Sequence, residues 1–270
     1  MSLSISFEQF MNYKNVNLDM LPELVSFANN LSYNRKHYHK YNKNFKANKK
    51  NNWSKRSNII NKEQLVKQNI NTVLNKISSD NFDDSVNELF DFINDIDTPD
   101  LLTSFIDKIY FKAINETKFS NIYAKLCKKL FKFSIHSDNN KLLFKKLFLN
   151  KCQSSFNHYL SINDLDIDDK FSFKLHIIGY MTFISHLYNE NILTSNIIKC
   201  CITDLINNYN NNCYIIKAIQ SIFLTCGSKL FSSNPSFVNS SFDKLDNIKS
   251  NISMSHKFTI LDILDLKNSW

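Results

Sequence analysis

Residues 105–130 carry two apolar stripes at helical spacing, and only a few polar residues separate them. The stripes consist of Phe105, Ile106, Ile109, Tyr110, Ala113 and Ile114, and then of Phe119, Ile122, Tyr123, Leu126 and Leu130. Two amphipathic helices joined by so short a turn must lie antiparallel, and each must bury one stripe. This stretch therefore predicts a helical hairpin.

The same paired pattern continues from residue 58 to the C-terminus. Leu65 is among the apolar residues that mark the first helix, and Thr98-Pro99-Asp100 predicts the start of a later one, with a hydroxyl cap and a proline at the first position. The other predicted pairs are 65–77 with 82–93, 140–159 with 171–188, 194–207 with 212–226, and 236–250 with 254–267. Five consecutive hairpins predict an all-α fold, an α-solenoid in which helix pairs stack side by side.

Glycine is scarce enough to exclude whole classes of protein. Gly179 and Gly227 are the only glycines in the chain. Sheet-rich folds need many tight turns with positive φ, and nucleotide-binding loops need clustered glycines, so neither fits. No apolar run reaches the ~18 residues of a membrane span, and no secretory signal precedes the first pair.

The cysteines and acidic turns give no sign of a bound metal. Most cysteines lie within apolar helical patterns and none has zinc-ligand spacing, which predicts buried, reduced thiols, no cofactor and a cytoplasmic location. The cysteines are Cys127, Cys152, Cys200, Cys201, Cys213 and Cys226. The acidic run 164–169 lacks the glycine and terminal glutamate of a calcium loop, so we interpret it as a solvated turn.

The charge divides the chain into three parts. Residues 31–56 hold nine of the positive charges and no acid, so a net charge of +8 leaves 8 − 9 = −1 for the rest. We assign 1–31 to a partner-binding segment, 32–57 to an extended basic arm with interleaved aromatic residues, and 58–270 to the helical domain. The arm is either a solvated linker or a single-stranded RNA-binding segment. Its candidate RNA-binding residues are Arg35, Lys36, Lys40, Lys43, Lys46, Lys49 and Lys50.

One run of residues is more specific than its periodicity. Lys112-Ala113-Ile114-x-Glu116-x-x-Phe119-Ser120-x-x-Tyr123-Ala124-x-x-Cys127 resembles the second repeat of the middle (HEAT-repeat) domain of eukaryotic translation initiation factor 4 gamma. Residues 144–156 resemble the opening of that family's third repeat, and 257–267 resemble its last helix. Both glycines also fall on family positions, Gly227 after the fourth repeat. The resemblance covers nearly all of residues 53–270.

The chain also departs from the family pattern. The insertion in the third repeat is shortened to little more than 164–170, and its arginine cluster is absent, which counts against RNA binding at that edge. Nothing follows Trp270, so the resemblance predicts a minimal version of the scaffold. The abundance of asparagine, isoleucine, lysine and phenylalanine is typical of AT-rich genomes, such as those of some protists and large DNA viruses.

The resemblance implies a scaffold for translation initiation that binds both lobes of a DEAD-box helicase and contacts messenger RNA. It places Trp53, with Leu74, Asn75 and Phe82, against one lobe, and Phe258 against the other. Trp53 either anchors that interface or packs on its own first repeat. The alternative function is a related adapter in splicing, nuclear cap binding or RNA decay.

Nothing in the sequence predicts an enzyme. The seven histidines are scattered among linkers, turns and helices, and no nucleophile-base pair is apparent. Asp262 and Asp265 lie on one helical face, but their similarity to the family's last helix favours capping or surface contacts.

The N-terminal segment carries part of a docking motif for the cap-binding initiation factor. Tyr13 and Leu18 have the spacing of that motif, but Asp19 takes its hydrophobic position, which leaves Met20 as a substitute. We therefore expect a docking segment, with a flexible tail and a chance Tyr-Leu pair as the alternative.

Overall fold

The computed structural model describes residues 62–137, 140–161, 167–209, 213–249 and 252–270, which form ten α-helices and one short β-hairpin. The helices are α1 (Lys62–Lys76), α2 (Phe82–Ile93), α3 (Pro99–Asn115), α4 (Ser120–Leu130), α5 (Phe144–Ser161), α6 (Ile167–Asn189), α7 (Ser195–Asn207), α8 (Cys213–Ser233), α9 (Pro235–Lys249) and α10 (Met254–Asp265). The all-α prediction and the five helix pairs are confirmed.

Successive pairs stack through one helix of each. Helix α3 packs on α1 and α6, α6 packs on α8, and α8 packs on α10. This arrangement is an α-solenoid, in which each pair buries its apolar faces against its neighbours. None of the described helices is both long enough and apolar enough to cross a membrane.

The two glycines permit close packing between helices. A Cβ on Gly179 in α6 would lie 2.1 Å from the carbonyl oxygen of Ile114, so only glycine allows this approach to the end of α3. A Cβ on Gly227 would lie 2.2 Å from the ring of Trp270. Gly227 lies inside α8, so the expectation that it follows the fourth repeat is wrong, because the helix extends to Ser233.

The third pair differs from the prediction at the start of each of its helices. Its first helix was expected from residue 140 but begins at Phe144, because residues before it form an antiparallel hairpin of β1 (Ser134–Ser137) and β2 (Asn140–Leu143). Its second helix begins at Ile167, so the end of the acidic run is helical, where acids favour a first turn. The two helices meet through aromatic rings, with Tyr159 and Tyr180 centroids 5.2 Å apart.

The start of α3 is set by a local hydrogen bond. Thr98 caps α3 as predicted, because its Oγ1 accepts a hydrogen bond from the Leu101 N–H at 3.3 Å.

Leu65 and Phe119 were expected in the buried stripes but are 48% and 43% exposed. Phe119 ends a short 3₁₀ turn at Thr117–Phe119, which rotates it out of the register of α4.

Four of the cysteines are buried as predicted: Cys127, Cys152, Cys201 and Cys226. Burial raises the pKa of the Cys152 thiol to about 12. Thiols with such values stay protonated at neutral pH and pack as small apolar groups.

Candidate functional site

The turn between α1 and α2 is closed by one asparagine side chain. The Oδ1 of Asn81 accepts a hydrogen bond from the Ser78 N–H at 2.7 Å, and its Nδ2 donates to the Lys76 carbonyl at 2.9 Å. These two bonds fix the turn that carries the predicted contact residues Asn75 and Phe82. Asn75 is exposed and Phe82 is half-buried.

Leu74 is placed differently from its neighbours at this turn. Its side chain is only 1% exposed and packs in the core. Its carbonyl accepts a hydrogen bond from the Tyr123 hydroxyl of α4 at 3.0 Å. Leu74 therefore anchors the turn to the core, and its side chain is not available to a partner in this structure.

A partly buried polar network ties this turn to the second pair. The Nζ of Lys112 donates to the Asn75 Oδ1 at 3.0 Å and to the Glu116 Oε1 at 2.5 Å. The other Glu116 carboxylate oxygen lies 3.3 Å from the Tyr123 hydroxyl, whose single proton is shared between this oxygen and the Leu74 carbonyl. Burial, and then the Glu116 charge, raise the pKa of Tyr123 above its usual value, so the hydroxyl remains a donor.

The network gives a structural role to Lys112, Glu116 and Tyr123, three polar residues of the run 112–127. The side chain of Lys112 is 8% exposed and that of Glu116 is 41% exposed, so the ion pair lies at the boundary of the core. A buried ammonium needs such partners, because an unpaired one is strongly destabilising. No structural role was predicted for Lys112, although its spacing to Glu116 (i, i+4) is that of a helical ion pair.

The other end of the solenoid carries an exposed apolar pair. Met254 and Phe258 lie one turn apart on α10 and are 66% and 59% exposed. The opposite face of α10 is anchored by Ile260 and Ile263, which are fully buried. The contact role of Phe258 stays a prediction.

The remaining predicted site residues lie outside the described residues. They are Trp53, Tyr13, Leu18, Met20, Arg35, Lys36, Lys40, Lys43, Lys46, Lys49 and Lys50.

The sequence pattern of the MIF4G domain matches residues 68–269, about three quarters of the chain. The chain belongs to the MIF4G domain family. It is similar to eukaryotic translation initiation factor 4G of Triticum aestivum, with 28% identity over 237 residues, covering 78% of this chain and 16% of the relative. It is also similar to eukaryotic translation initiation factor 4 gamma of Dictyostelium discoideum, with 25% identity over 265 residues, covering 78% and 19%. The chain thus spans less than a fifth of the length of either relative.

This MIF4G domain also exposes two large apolar side chains that were not predicted as site residues. Phe111 on α3 and Leu175 on α6 are 55% and 52% exposed. They flank a hydrogen bond of 3.1 Å between the His176 Nε2 and the Asn115 Oδ1. Their exposure could have been inferred, since neither residue fits the buried stripe of its helix.

The described part of the MIF4G domain brings together no set of three histidine, cysteine, aspartate or glutamate side chains that would bind a metal ion. Asp262 and Asp265 are both exposed on α10, as surface residues would be. The described residues place the α1–α2 turn at one end of the helical domain and the exposed Met254–Phe258 pair at the other.

Proposed function

We propose that this chain is a translation initiation scaffold that binds a DEAD-box helicase through the two ends of its solenoid. The family match and the relatives, which are named as initiation factors, support this function over a related adapter in splicing, nuclear cap binding or RNA decay. Chemistry on ATP then belongs to the helicase, and this chain contributes no catalytic residue. A cytoplasmic location follows from the same proposal.

The observation that carries the proposal is the exposed Met254–Phe258 pair on a well-anchored end helix. Removing a large apolar side chain from water on binding contributes about 1.5–3 kcal/mol. Because Ile260 and Ile263 hold α10 in place, little of that free energy is spent on ordering the helix. A preformed apolar anchor of this kind is typical of a binding hot spot.

The first turn supplies the second contact in this proposal. Asn75 and Phe82 present the surface, while Leu74, Tyr123 and Lys112 hold it rigid from within. Trp53 precedes this turn in the chain and would insert against the same lobe. A scaffold that contacts both lobes best in one orientation increases the population of that orientation, which is how it would activate the helicase.

Two further partners follow from the segments before Lys62. The basic arm, with Arg35, Lys36 and the lysines that follow, would bind messenger RNA through its phosphates. Tyr13, Leu18 and Met20 would dock the cap-binding initiation factor as a short helix. Equal affinity for that factor before and after replacement of Tyr13 and Leu18 by alanine would contradict the docking proposal.

The test of the helicase contact is a titration of labelled, purified DEAD-box initiation helicase with the full chain. We expect Phe258→Ala to weaken binding at least tenfold, which corresponds to about 1.4 kcal/mol. Leu224→Ala is a suitable control, since Leu224 is 62% exposed on α8 and lies outside both proposed contacts. An equal loss of helicase affinity in the two variants, or no loss of affinity in Phe258→Ala, would contradict the proposed site.

A further inference from the structure

The hairpin of β1 and β2 is a sheet of only two strands within the described part of the chain. Each of its strands therefore has one paired side and one open edge. The hairpin is held on the domain because β1 contacts α3 and because the Ile135 side chain is buried. β2 is the more exposed strand, since Lys141 and Leu143 both lie at the surface.

The pairing register shows which backbone groups of β2 point outward. The Phe144 N–H donates to the Phe133 carbonyl at 3.1 Å, so the pair just beyond the two strands is hydrogen-bonded. Bonded and non-bonded pairs alternate along antiparallel strands. Leu143 and Lys141 therefore belong to the non-bonded pairs. The N–H groups of Lys141 and Leu143 and the carbonyl of Lys141 point away from β1.

These outward groups make β2 a template for strand addition. An extended segment beside β2 can accept a hydrogen bond from each of the two N–H groups and donate one to the Lys141 carbonyl. Among the described residues none takes this place, since the sheet has no third strand. Such pairing requires the regular N–H and C=O groups of a peptide, which RNA lacks.

The charge around β2 selects the kind of segment that fits. Residues 117–151 contain nine lysines and one acidic residue. Lys132, Lys141 and Lys146 lie before, on and after the hairpin, and all three are exposed and form no ion pair with another described residue. Opposite charges on neighbouring strands stabilise their pairing, whereas like charges oppose it. An acidic segment is therefore favoured, and a second copy of this chain, whose β2 carries the same lysine, is disfavoured.

Leu143 adds an apolar contact to the same edge. It is 40% exposed. Side chains two residues apart lie on one face of a strand, so Leu143 and Lys141 would contact the added segment on the same face. A segment that matches both residues carries an acidic side chain and, two positions away, an apolar one.

We propose that β2 binds an extended acidic segment of a partner protein by strand addition. The segment pairs with Lys141 and Leu143 through main-chain hydrogen bonds, with a carboxylate beside Lys141 and an apolar side chain beside Leu143. This contact uses none of the residues assigned to the helicase, so it goes beyond the proposed function and does not depend on it.

The first test uses the full natural chain and a fluorescent peptide, TETVTETV, followed by anisotropy. On one face of a strand this peptide alternates glutamate with valine. The control peptide has the same sequence with N-methyl groups on its four central residues, which removes main-chain donors and keeps every charge. We expect the methylated peptide to bind at least tenfold more weakly.

Two substitutions of Leu143 separate the side chain from the backbone. Leu143→Ala removes the apolar side chain and keeps the N–H, and we expect affinity for TETVTETV to fall severalfold. Leu143→Pro also removes the outward N–H, and proline is tolerated on the open edge of a strand. We expect this variant to bind at least tenfold more weakly than the natural chain, with a similar thermal melt. If Leu143→Pro unfolds, the methylated peptide still tests the pairing.

A charge exchange tests the proposed contact with Lys141. Lys141→Glu should bind TETVTETV at least tenfold more weakly than the natural chain and should bind TKTVTKTV, in which lysines replace the glutamates, more tightly. Lys244→Glu is the matched control, because Lys244 is exposed on α9, and it should change neither affinity.

Three results would overturn the proposal. Equal affinity for the methylated and unmethylated peptides would show that charge alone explains binding. Absence of binding at millimolar TETVTETV would show that the edge does not accept an acidic strand. If Lys141→Glu kept its affinity for TETVTETV and lost affinity for a fluorescent oligouridine, β2 would contact RNA and not a protein segment.

Discussion

The ring of Trp270 occupies the space beside Gly227 that any other residue would fill with its Cβ. That Cβ would lie 2.2 Å from the Cζ2 of the indole. The indole is also surrounded by the rings of Phe223, Phe231 and Phe242, whose centroids lie 5.9 to 6.3 Å away. The last residue of the chain is therefore packed into a slot formed by α8 and α9.

This packing predicts that Gly227→Ala is destabilising only while Trp270 is present. In the natural chain the added methyl overpacks the slot, and we expect a loss of about 1–3 kcal/mol of unfolding free energy. In a Trp270→Ala background the same change should stabilise by up to about 1 kcal/mol, because alanine favours a helix more than glycine. Urea denaturation of the four proteins would measure this coupling, and an equal effect of Gly227→Ala in both backgrounds would contradict it.

The second glycine should behave differently. A Cβ on Gly179 would meet the carbonyl oxygen of Ile114 at 2.1 Å, and backbone cannot move aside as a side chain can. We expect Gly179→Ala to reduce the unfolding free energy by about 2 kcal/mol or more. Trimming the neighbouring side chain with Ile114→Ala should give no rescue, and recovery of stability in that double variant would show that the side chain, not the carbonyl, sets the distance.

The hydroxyl of Tyr123 should contribute more to stability than that of another buried tyrosine, Tyr188. Tyr123→Phe removes the hydrogen bonds to the Leu74 carbonyl and Glu116, which leaves the Leu74 carbonyl without that donor. We expect a loss of about 1–3 kcal/mol in urea denaturation. Tyr188→Phe is the control, because its partner Ser233 also bonds to helix carbonyls. Equal losses for both variants would show that the network around Tyr123 has no special role.

Two half-buried histidines predict how stability depends on pH. Burial lowers the pKa of His176 and of His186 in the folded chain below the ordinary value of about 6.5. The unfolded chain then binds protons more readily, so the stabilisation present above about pH 6.5 is lost as the pH falls below it. The thermal midpoint should fall less from pH 7.5 to pH 5.5 in the double variant His176→Gln, His186→Gln, and an unchanged difference would contradict this account.

The helix pairs could be predicted because their apolar spacing is set locally by the helical period. The hairpin of β1 and β2 could not, because its four-residue strands are held by pairing and by one buried side chain, Ile135, and not by a long alternating pattern. Leu65 lies five residues before Ile70, off the buried face to which Val66 belongs. Phe119 is exposed because the 3₁₀ turn before α4 rotates it out of the register of that helix.

The candidate site was only partly readable from the sequence. The exposure of Phe258 depends on what packs against α10, and the resemblance supplied its expected role where the spacing did not. Leu74 was expected at the surface beside Asn75, but neighbouring residues on a helix point in different directions, and the Leu74 side chain lies in the core. Lys112 lies in a buried position that charge alone would have excluded. Its ion pair with Glu116 has a spacing visible in the sequence, whereas its hydrogen bond to Asn75 depends on tertiary packing.

The central claim is that the two ends of the solenoid hold one helicase in its active arrangement. The most direct measurement is the RNA-dependent ATP hydrolysis of the purified DEAD-box initiation helicase, titrated with the full chain. We expect the chain to increase the helicase rate severalfold and to hydrolyse no ATP alone. Trp53→Ala and Phe258→Ala should each require at least tenfold more chain for half-maximal stimulation, with thermal melting nearly unchanged. No stimulation by the natural chain would contradict the account, and so would half-maximal stimulation by both variants at the same concentration as the natural chain.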